Sequence, residues 1–275
     1  MIIDGRAVAK EILLNVKERA SAFAKPPHII AVVTSDTPAT RSYLSIKEKR
    51  AVDAGCVLEV LSLPEDTSTS TLCSTILSEV VPKADAIIVQ LPLPEGLDTQ
   101  QVCDTIPLVK DADILSSAAR AVFAHAPESL VPPVVGAVRA ILEQGSIAVA
   151  GKKIAVLGAG FLVGAPVATW CTKQGGQVTI VTKESGDLAG ALKDADIIVS
   201  GMGVPHLITP SIIKEGVVLI DAGTSESGGA IVGDADPACA EKCTLFTPVP
   251  GGVGPIAVAL LFENVVALLE RTTNS

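Results

Sequence analysis

Tyr43 and Lys47 stand four residues apart in a stretch with helical periodicity, residues 42–54, so their side chains share one helix face. An amine set against an apolar cleft is poorly hydrated. Its pKa falls, and it can give or take a proton near neutral pH. From spacing alone a solvated surface lysine is the commoner case. Gln90 closes the apolar run 86–89 and is followed by the stiff Leu91-Pro-Leu-Pro94. In an open parallel sheet the carboxyl ends of strands face the binding crevice, so Gln90 is placed to orient a ligand or a lysine. A plain strand-end cap explains it equally well. Asp111 and Asp113, in Lys110-Asp-Ala-Asp113, lie two apart and in an extended segment face the same side. Such carboxylates suit an amino-pyrimidine edge, although solvated loop acids are more common.

A second chemistry is written around residue 158. The strand-like run 154–158 feeds Gly158-Ala-Gly160-Phe-Leu-Val163-Gly164, and a helix pattern follows. Gly158 permits a tight turn, Gly160 lets backbone approach a pyrophosphate, and the helix N-terminus offers free N–H groups with a positive dipole. The spacing Gly-x-Gly-x-x-x-Gly is one residue longer than the commonest dinucleotide fingerprint, and its strand–helix setting is what gives it weight. Near the chain end, Pro248-Val-Pro250-Gly251-Gly252-Val-Gly-Pro255 exposes backbone to a ligand, and Pro255 suits the first turn of a last helix.

The elements that must position these groups alternate between strand and helix. Strands are expected at 28–33, 57–63, 86–91, 153–158, 177–182, 195–200, 217–222 and 245–247. Helices are expected at 5–23, 42–54, 67–80, 134–142, 163–173, 187–193, near 210–214 and at 255–270. That alternation predicts an α/β fold with parallel sheets and right-handed crossovers. The weakly periodic residues 110–133 read as the passage between two domains. His28, at a strand start, reads as structural.

Composition narrows the function. With 275 residues, 48% hydrophobic and only 3% aromatic, the core rests on Val, Ile, Leu and Ala, as parallel sheets covered by helices require. A net charge of −9 argues against nucleic acid and anionic membrane surfaces as partners. No uninterrupted apolar run of about 18 residues occurs, and the first residues lack a signal-peptide pattern. The six cysteines are scattered and lack metal-ligand spacing, which predicts free thiols, no metal and a cytoplasmic protein.

Taken in order, these segments resemble the bifunctional methylenetetrahydrofolate dehydrogenase/methenyltetrahydrofolate cyclohydrolase family, FolD-type. The matching motifs are Ser42-Tyr43-x-x-x-Lys47-x-Lys49, Val89-Gln90-Leu-Pro-Leu-Pro94, Lys110-Asp-Ala-Asp113 and Gly151-Lys152 with the glycine turn through Pro166. They continue with Gly203-x-Pro205, Ile220-Asp221-x-Gly223, Val232-Gly233-Asp234-x-Asp236 and Thr247-Pro-Val-Pro-Gly-Gly-Val-Gly-Pro255. The resemblance implies a catalytic domain of residues 1–118 with 255–275 and a Rossmann-type NAD(P)-binding domain of 119–254. It also implies a last helix packed back on the first domain, a homodimer, and folate between the domains. By the same resemblance Lys47 is the catalytic lysine, Gln90 tunes it and Asp113 binds the pterin. Tyr43 stacks on the aminobenzoyl ring, and Pro250, Gly251 and Gly252 line the folate. Gly158, Gly160, Val163, Gly164, Lys183 and Gly203 take NADP, with NAD as the alternative.

Several positions depart from the family pattern. Ala159-Gly160 replaces Arg-Ser, removing one 2′-phosphate contact. Lys183 stands where a phosphate-binding serine is usual, and Glu184 has the placement of a ribose-binding acid. Val131-Pro-Pro-Val134 replaces Pro-Cys-Thr-Pro, Ile114 replaces a glycine and Ala257 a threonine. These changes keep two alternatives open beside the bifunctional enzyme: a monofunctional dehydrogenase, and a catalytically silent folate or nucleotide binder.

Overall fold

The computed structural model describes residues 1–35, 37–126, 130–227 and 230–273. Parts of the expected loop 34–40 and of the passage 110–133 (residues 36 and 127–129) therefore lie outside the described residues. The chain divides into two compact units. One comprises Met1–Ala9 and Val134–Ala257; the other comprises Lys10–Pro133 and the chain from Val258 onward.

The unit beginning at Lys10 is built on a three-stranded parallel sheet in the order β2–β1–β3, with β1 at His28–Val33, β2 at Val57–Ser62 and β3 at Ala86–Val89. Ile29 to Val32 and Ala86 to Val89 are all buried to within 2%. Continuous apolar strands of this kind need cover on both faces. Helices α1 (Gly5–Ala20), α2 (Pro38–Asp53), α3 (Thr69–Thr75, running into a π-type turn at Ile76–Val80), α4 (Thr99–Cys103) and α5 (Ser117–His125) accompany them. Leu72, Ile76 and Val80 share a core with Ile30, Val32, Ile87 and Val89. Helix α2 starts four residues before the expected Ser42. The Thr37 side chain accepts the Thr40 N–H, and a proline in the first turn has a ready-made helical φ.

The other unit holds a five-stranded parallel sheet in the order β10–β7–β6–β4–β5, from β4 (Lys153–Leu157), β5 (Gln177–Val181), β6 (Ile197–Ser200), β7 (Val217–Asp221) and β10 (Cys243–Phe246). Helices α6 (Pro133–Gln144), α7 (Gly164–Lys173) and α8 (Leu188–Lys193) belong to it, with a small antiparallel pair, β8 (Ser225–Ser227) and β9 (Ala230–Val232). Strand order reverses beside β4: β5 lies on one side, and β6, β7 and β10 follow on the other. Ligands of open α/β sheets bind at such a reversal, beyond the carboxyl ends of the strands.

Two boundaries differ from the expected 1–118 and 119–254. The first residues join the five-stranded unit because Ile3 N–H donates to Phe246 O and Phe246 N–H to Met1 O, extending that sheet past β10. Residues 119–133 stay with the three-stranded unit. There the expected passage contains α5, whose Ser116 cap accepts the Ala119 N–H.

The closing helix α9 (Val253–Thr273) packs back on the three-stranded unit: Arg19 donates two hydrogen bonds to the Glu270 carboxylate, at 2.9 and 2.7 Å. By length and composition α9 is apolar enough to cross a membrane, the one such helix among the described residues. More than half of that span is buried within the fold, and Phe262, Val265 and Val266 are wholly inaccessible, as in a core helix.

Candidate active site

Lys47 sits on α2, and Gln90 is the first residue past β3, held there by its N–H to Val32 O at 2.9 Å. The Lys47 Nζ donates to Gln90 Oε1 at 2.9 Å, and Gln90 Nε2 donates to Leu91 O at 2.8 Å. The amide is thus locked with its oxygen toward the amine. Burial lowers the Lys47 pKa from the ordinary lysine value, with the negative charge of Asp113 opposing the fall. Burial raises the Asp113 carboxyl, which Lys47 partly relieves and Asp111 reinforces. Both groups are pushed toward their neutral forms, the condition under which an amine exchanges protons near neutral pH. Tyr43, one turn before Lys47, is 36% exposed.

Asp111 and Asp113 do not work side by side as their spacing suggests. Asp111 is fully buried, and its carboxylate accepts the N–H groups of Leu115 (3.1 Å) and Ser116 (2.8 Å). It is a turn former. Asp113 makes no hydrogen bond to protein among the described residues and is met instead by the charges of its neighbours, Lys47 and Asp111. Ile114, between them and the turn's end, has φ +57°, a region costly for a branched side chain and natural for the family's glycine. Asn264 of α9 fastens this segment: its Nδ2 donates to Ala112 O at 2.8 Å and to Val131 O at 2.9 Å. Val131 is held through its carbonyl, which any residue supplies, so the altered Val131-Pro-Pro-Val134 keeps its anchor. At the same sheet end, the buried Thr34 hydroxyl has no hydrogen-bond partner among the described residues. Neither Thr34 nor Asn264 carries any spacing signal that sequence reading would find.

In the five-stranded unit the glycine turn has the shape its residues predict. Gly158 ends β4 with φ +92°, and its N–H donates to Val181 O at 2.8 Å, which places the end of β5 beside the turn. A Cβ on Gly164 would overlap the Gly158 carbonyl, so α7 starts as close to the turn as backbone allows. Gly160 is exposed, with nothing within 4 Å of where its Cβ would lie. Val163 caps α7 and packs against Gly201, where an added Cβ would meet its side chain at 2.6 Å. Gly203, with φ +66°, is exposed on the loop that follows β6. Lys183 and Glu184 lie exposed on the turn after β5, and a hydrogen bond from Thr182 keeps the Glu184 carboxyl below the usual range. This open, glycine-lined strand–helix turn at the sheet's reversal point fits a dinucleotide.

Pro250, Gly251 and Gly252 belong to this second unit. The turn is tight: Gly252 N–H donates to Pro248 O at 2.8 Å, Gly5 N–H donates to Gly251 O at 2.9 Å, and Gly251 has φ +111°. A Cβ at Gly252 would meet Pro248 O at 2.7 Å, so glycine is required there by space. Among the described residues no group of His, Cys, Asp or Glu could hold a metal.

A dinucleotide-type turn in one α/β unit and a lysine–glutamine–aspartate set in another define a nucleotide-dependent enzyme of two-unit architecture. Comparison with known proteins narrows the class. Residues 3–113 match the tetrahydrofolate dehydrogenase/cyclohydrolase catalytic domain, and residues 132–273 match the NAD(P)-binding domain of the same family. A relative from Lacticaseibacillus paracasei named bifunctional protein FolD is 37% identical over 280 residues, covering 99% of this chain and 98% of its own. The structure of a FolD methylenetetrahydrofolate dehydrogenase/cyclohydrolase from Campylobacter jejuni superposes with a TM-score of 0.92 at 28% identity over 99% of both chains. One from Trypanosoma brucei, complexed with NADP and an inhibitor, gives 0.92 at 30% identity, covering 100% of this chain and 99% of that one. The chain belongs to the tetrahydrofolate dehydrogenase/cyclohydrolase family.

Proposed function

We propose that this protein oxidises 5,10-methylenetetrahydrofolate to 5,10-methenyltetrahydrofolate with NADP and hydrolyses that product to 10-formyltetrahydrofolate, two consecutive steps of one-carbon metabolism. The observation that carries the reading is the Lys47–Gln90 hydrogen bond in a chain whose relatives are named for both activities.

NADP, when bound, supplies the hydride acceptor for the first step. Gly158, Gly160, Val163 and Gly164 would receive its pyrophosphate, Gly203 would flank it, and Lys183 would supply the charge at the 2′-phosphate that Ala159-Gly160 has given up. Asp113 binds the amino-pyrimidine edge of the pterin and Tyr43 stacks on the aminobenzoyl ring. Pro250, Gly251 and Gly252 are assigned to folate on the strength of their motif. Hydride loss from the one-carbon bridge leaves a cation shared by two folate nitrogens, so this step asks the protein mainly for proximity and orientation.

Hydrolysis asks for proton transfer. Water adds its oxygen to the cationic carbon and gives one proton to the neutral Lys47 amine. The bond from that carbon to the pterin nitrogen then breaks. The nitrogen takes up a proton, the remaining hydroxyl becomes the formyl carbonyl, and one proton is released net. Gln90 accepts a hydrogen bond from the amine in either charge state and so fixes its direction throughout. The same reading makes the enzyme a cytoplasmic homodimer without nucleic-acid or membrane partners. Its supports are six unpaired cysteines, the net charge of −9, and Ile180, 46% exposed on the edge strand β5. Methenyltetrahydrofolate supplied without NADP tests the hydrolytic half. Its near-ultraviolet absorbance should decay much faster with protein than without, and decay at the uncatalysed rate would refute the proposal.

A further inference from the structure

Beyond the turn that meets the pyrophosphate, a second device shapes the cofactor side of the five-stranded unit. Asp234 is fully buried, and its carboxylate is saturated by the end of β6 and the loop after it. Oδ2 accepts the Ser200 hydroxyl at 2.6 Å and the Met202 N–H at 2.8 Å, while Oδ1 accepts the Val204 N–H at 2.8 Å. The loop 201–204 therefore wraps one carboxylate, with alternate N–H groups turned inward. Gly203, between them, stays exposed, and its own N–H donates to no protein acceptor among the described residues.

This loop is a wall of the glycine turn. A Cβ on Gly158 would lie 3.1 Å from Gly201 O and 3.4 Å from Met202 Sδ, and Val163 packs on Gly201. The approach of the carboxylate is itself enforced by small residues: a side chain at Gly223 would overlap the Asp234 carboxylate. Its neighbour Asp221 is engaged elsewhere, accepting the N–H groups of Gly223 (2.9 Å) and Ala235 (2.8 Å). Nothing in the proton chemistry uses Asp234, yet a buried anion with three converging donors is a costly feature for a plain loop to retain.

We propose that Asp234 is a positioning residue for the dinucleotide: by gripping Ser200, Met202 and Val204 it holds the 201–204 loop against the glycine turn and presents the Gly203 backbone to bound NADP. The inference rests on the NADP reading above. Its test separates the two halves of the enzyme, because the Lys47 set belongs to the other compact unit. In Asp234→Asn the amide nitrogen cannot accept, so at least one donor of the three loses its partner. The expected result is a tenfold or greater rise in the NADP dissociation constant by calorimetric titration. Hydrolysis of methenyltetrahydrofolate, measured without NADP, should change less than twofold. Ser200→Ala, which removes only the hydroxyl donor, should show a smaller rise in the same direction, and it serves if the first variant fails to fold. Unchanged NADP affinity in the folded variants, or equal losses in binding and hydrolysis that track a lowered Tm, would overturn the role of Asp234. An unsubstituted protein that does not bind NADP would overturn the cofactor reading as well.

Discussion

Replacing Lys47 with Met isolates what the amine does. The substitution keeps the unbranched stem on the same face of α2 and removes only the proton carrier and the donor to Gln90 Oε1, now at 2.9 Å. A positioned acid or base contributes roughly 10²- to 10⁴-fold, so hydrolysis of methenyltetrahydrofolate should fall by at least about 100-fold. That equals a barrier increase of about 2.7 kcal/mol or more. Stability should move far less. The lost hydrogen bond is worth about 1 kcal/mol, and replacing a buried polar amine by an apolar side-chain end offsets much of it. Hydride transfer depends chiefly on orientation and should persist, so the variant should turn a transient methenyl signal into a lasting one. The assay is near-ultraviolet absorbance during turnover, with urea unfolding as the control for folding. Hydrolysis within a few-fold of the original enzyme, in a folded variant, would refute the assignment of the amine.

Other perturbations test the scaffold around that site. Asn264→Leu strips two buried carbonyls, on Ala112 and Val131, of their common donor and should cost about 2–4 kcal/mol in urea unfolding; a loss under about 0.5 kcal/mol would contradict the anchoring role. Gly164→Ala places a Cβ on the Gly158 carbonyl and should weaken NADP binding at least tenfold by calorimetry, with about 1–3 kcal/mol lost from stability. Asp221, 1% exposed, has its pKa raised by burial from 3.8 to about 6, so the folded state binds the extra proton. The stabilisation this confers is fully present below about pH 4 and is lost as pH rises to about 6, a swing of about 3 kcal/mol. The stability difference between the original protein and Asp221→Asn, followed across that range by urea unfolding, should show this slope; a flat difference would contradict it.

Local signals made much of the site legible in the sequence. The glycine turn, Lys47 with Tyr43 four residues earlier, and Gln90 at a strand end are all short-range patterns, and the structure reproduces their geometry. The parallel strands were readable because fully covered strands are continuously apolar. What stayed hidden depends on contacts between distant parts of the chain. Asn264 meets Ala112 across 152 residues, and Asp234 meets Ser200 across 34. Asn264 does not differ from an ordinary helix residue, and Asp234, although part of a matching motif, has no spacing that points to Ser200. Asp111 and Asp113 looked equivalent by spacing, and only the turn between Asp111 and Ser116 gives them separate duties. The joining of the first residues to β10 was equally invisible, because edge pairing requires knowing which strand lies at the edge. Helix α5 is hidden because it is only nine residues long and stands in a stretch broken by Pro127, Pro132 and Pro133, which reads as a connector.

The central claim is that one chain runs both reactions in sequence, and a single progress curve tests it. Purified protein given 5,10-methylenetetrahydrofolate and NADP should produce the near-ultraviolet absorbance of the methenyl compound briefly, with that absorbance falling as 10-formyltetrahydrofolate accumulates. A methenyl signal that rises and stays, or one that never rises while no 10-formyl product forms, would contradict it.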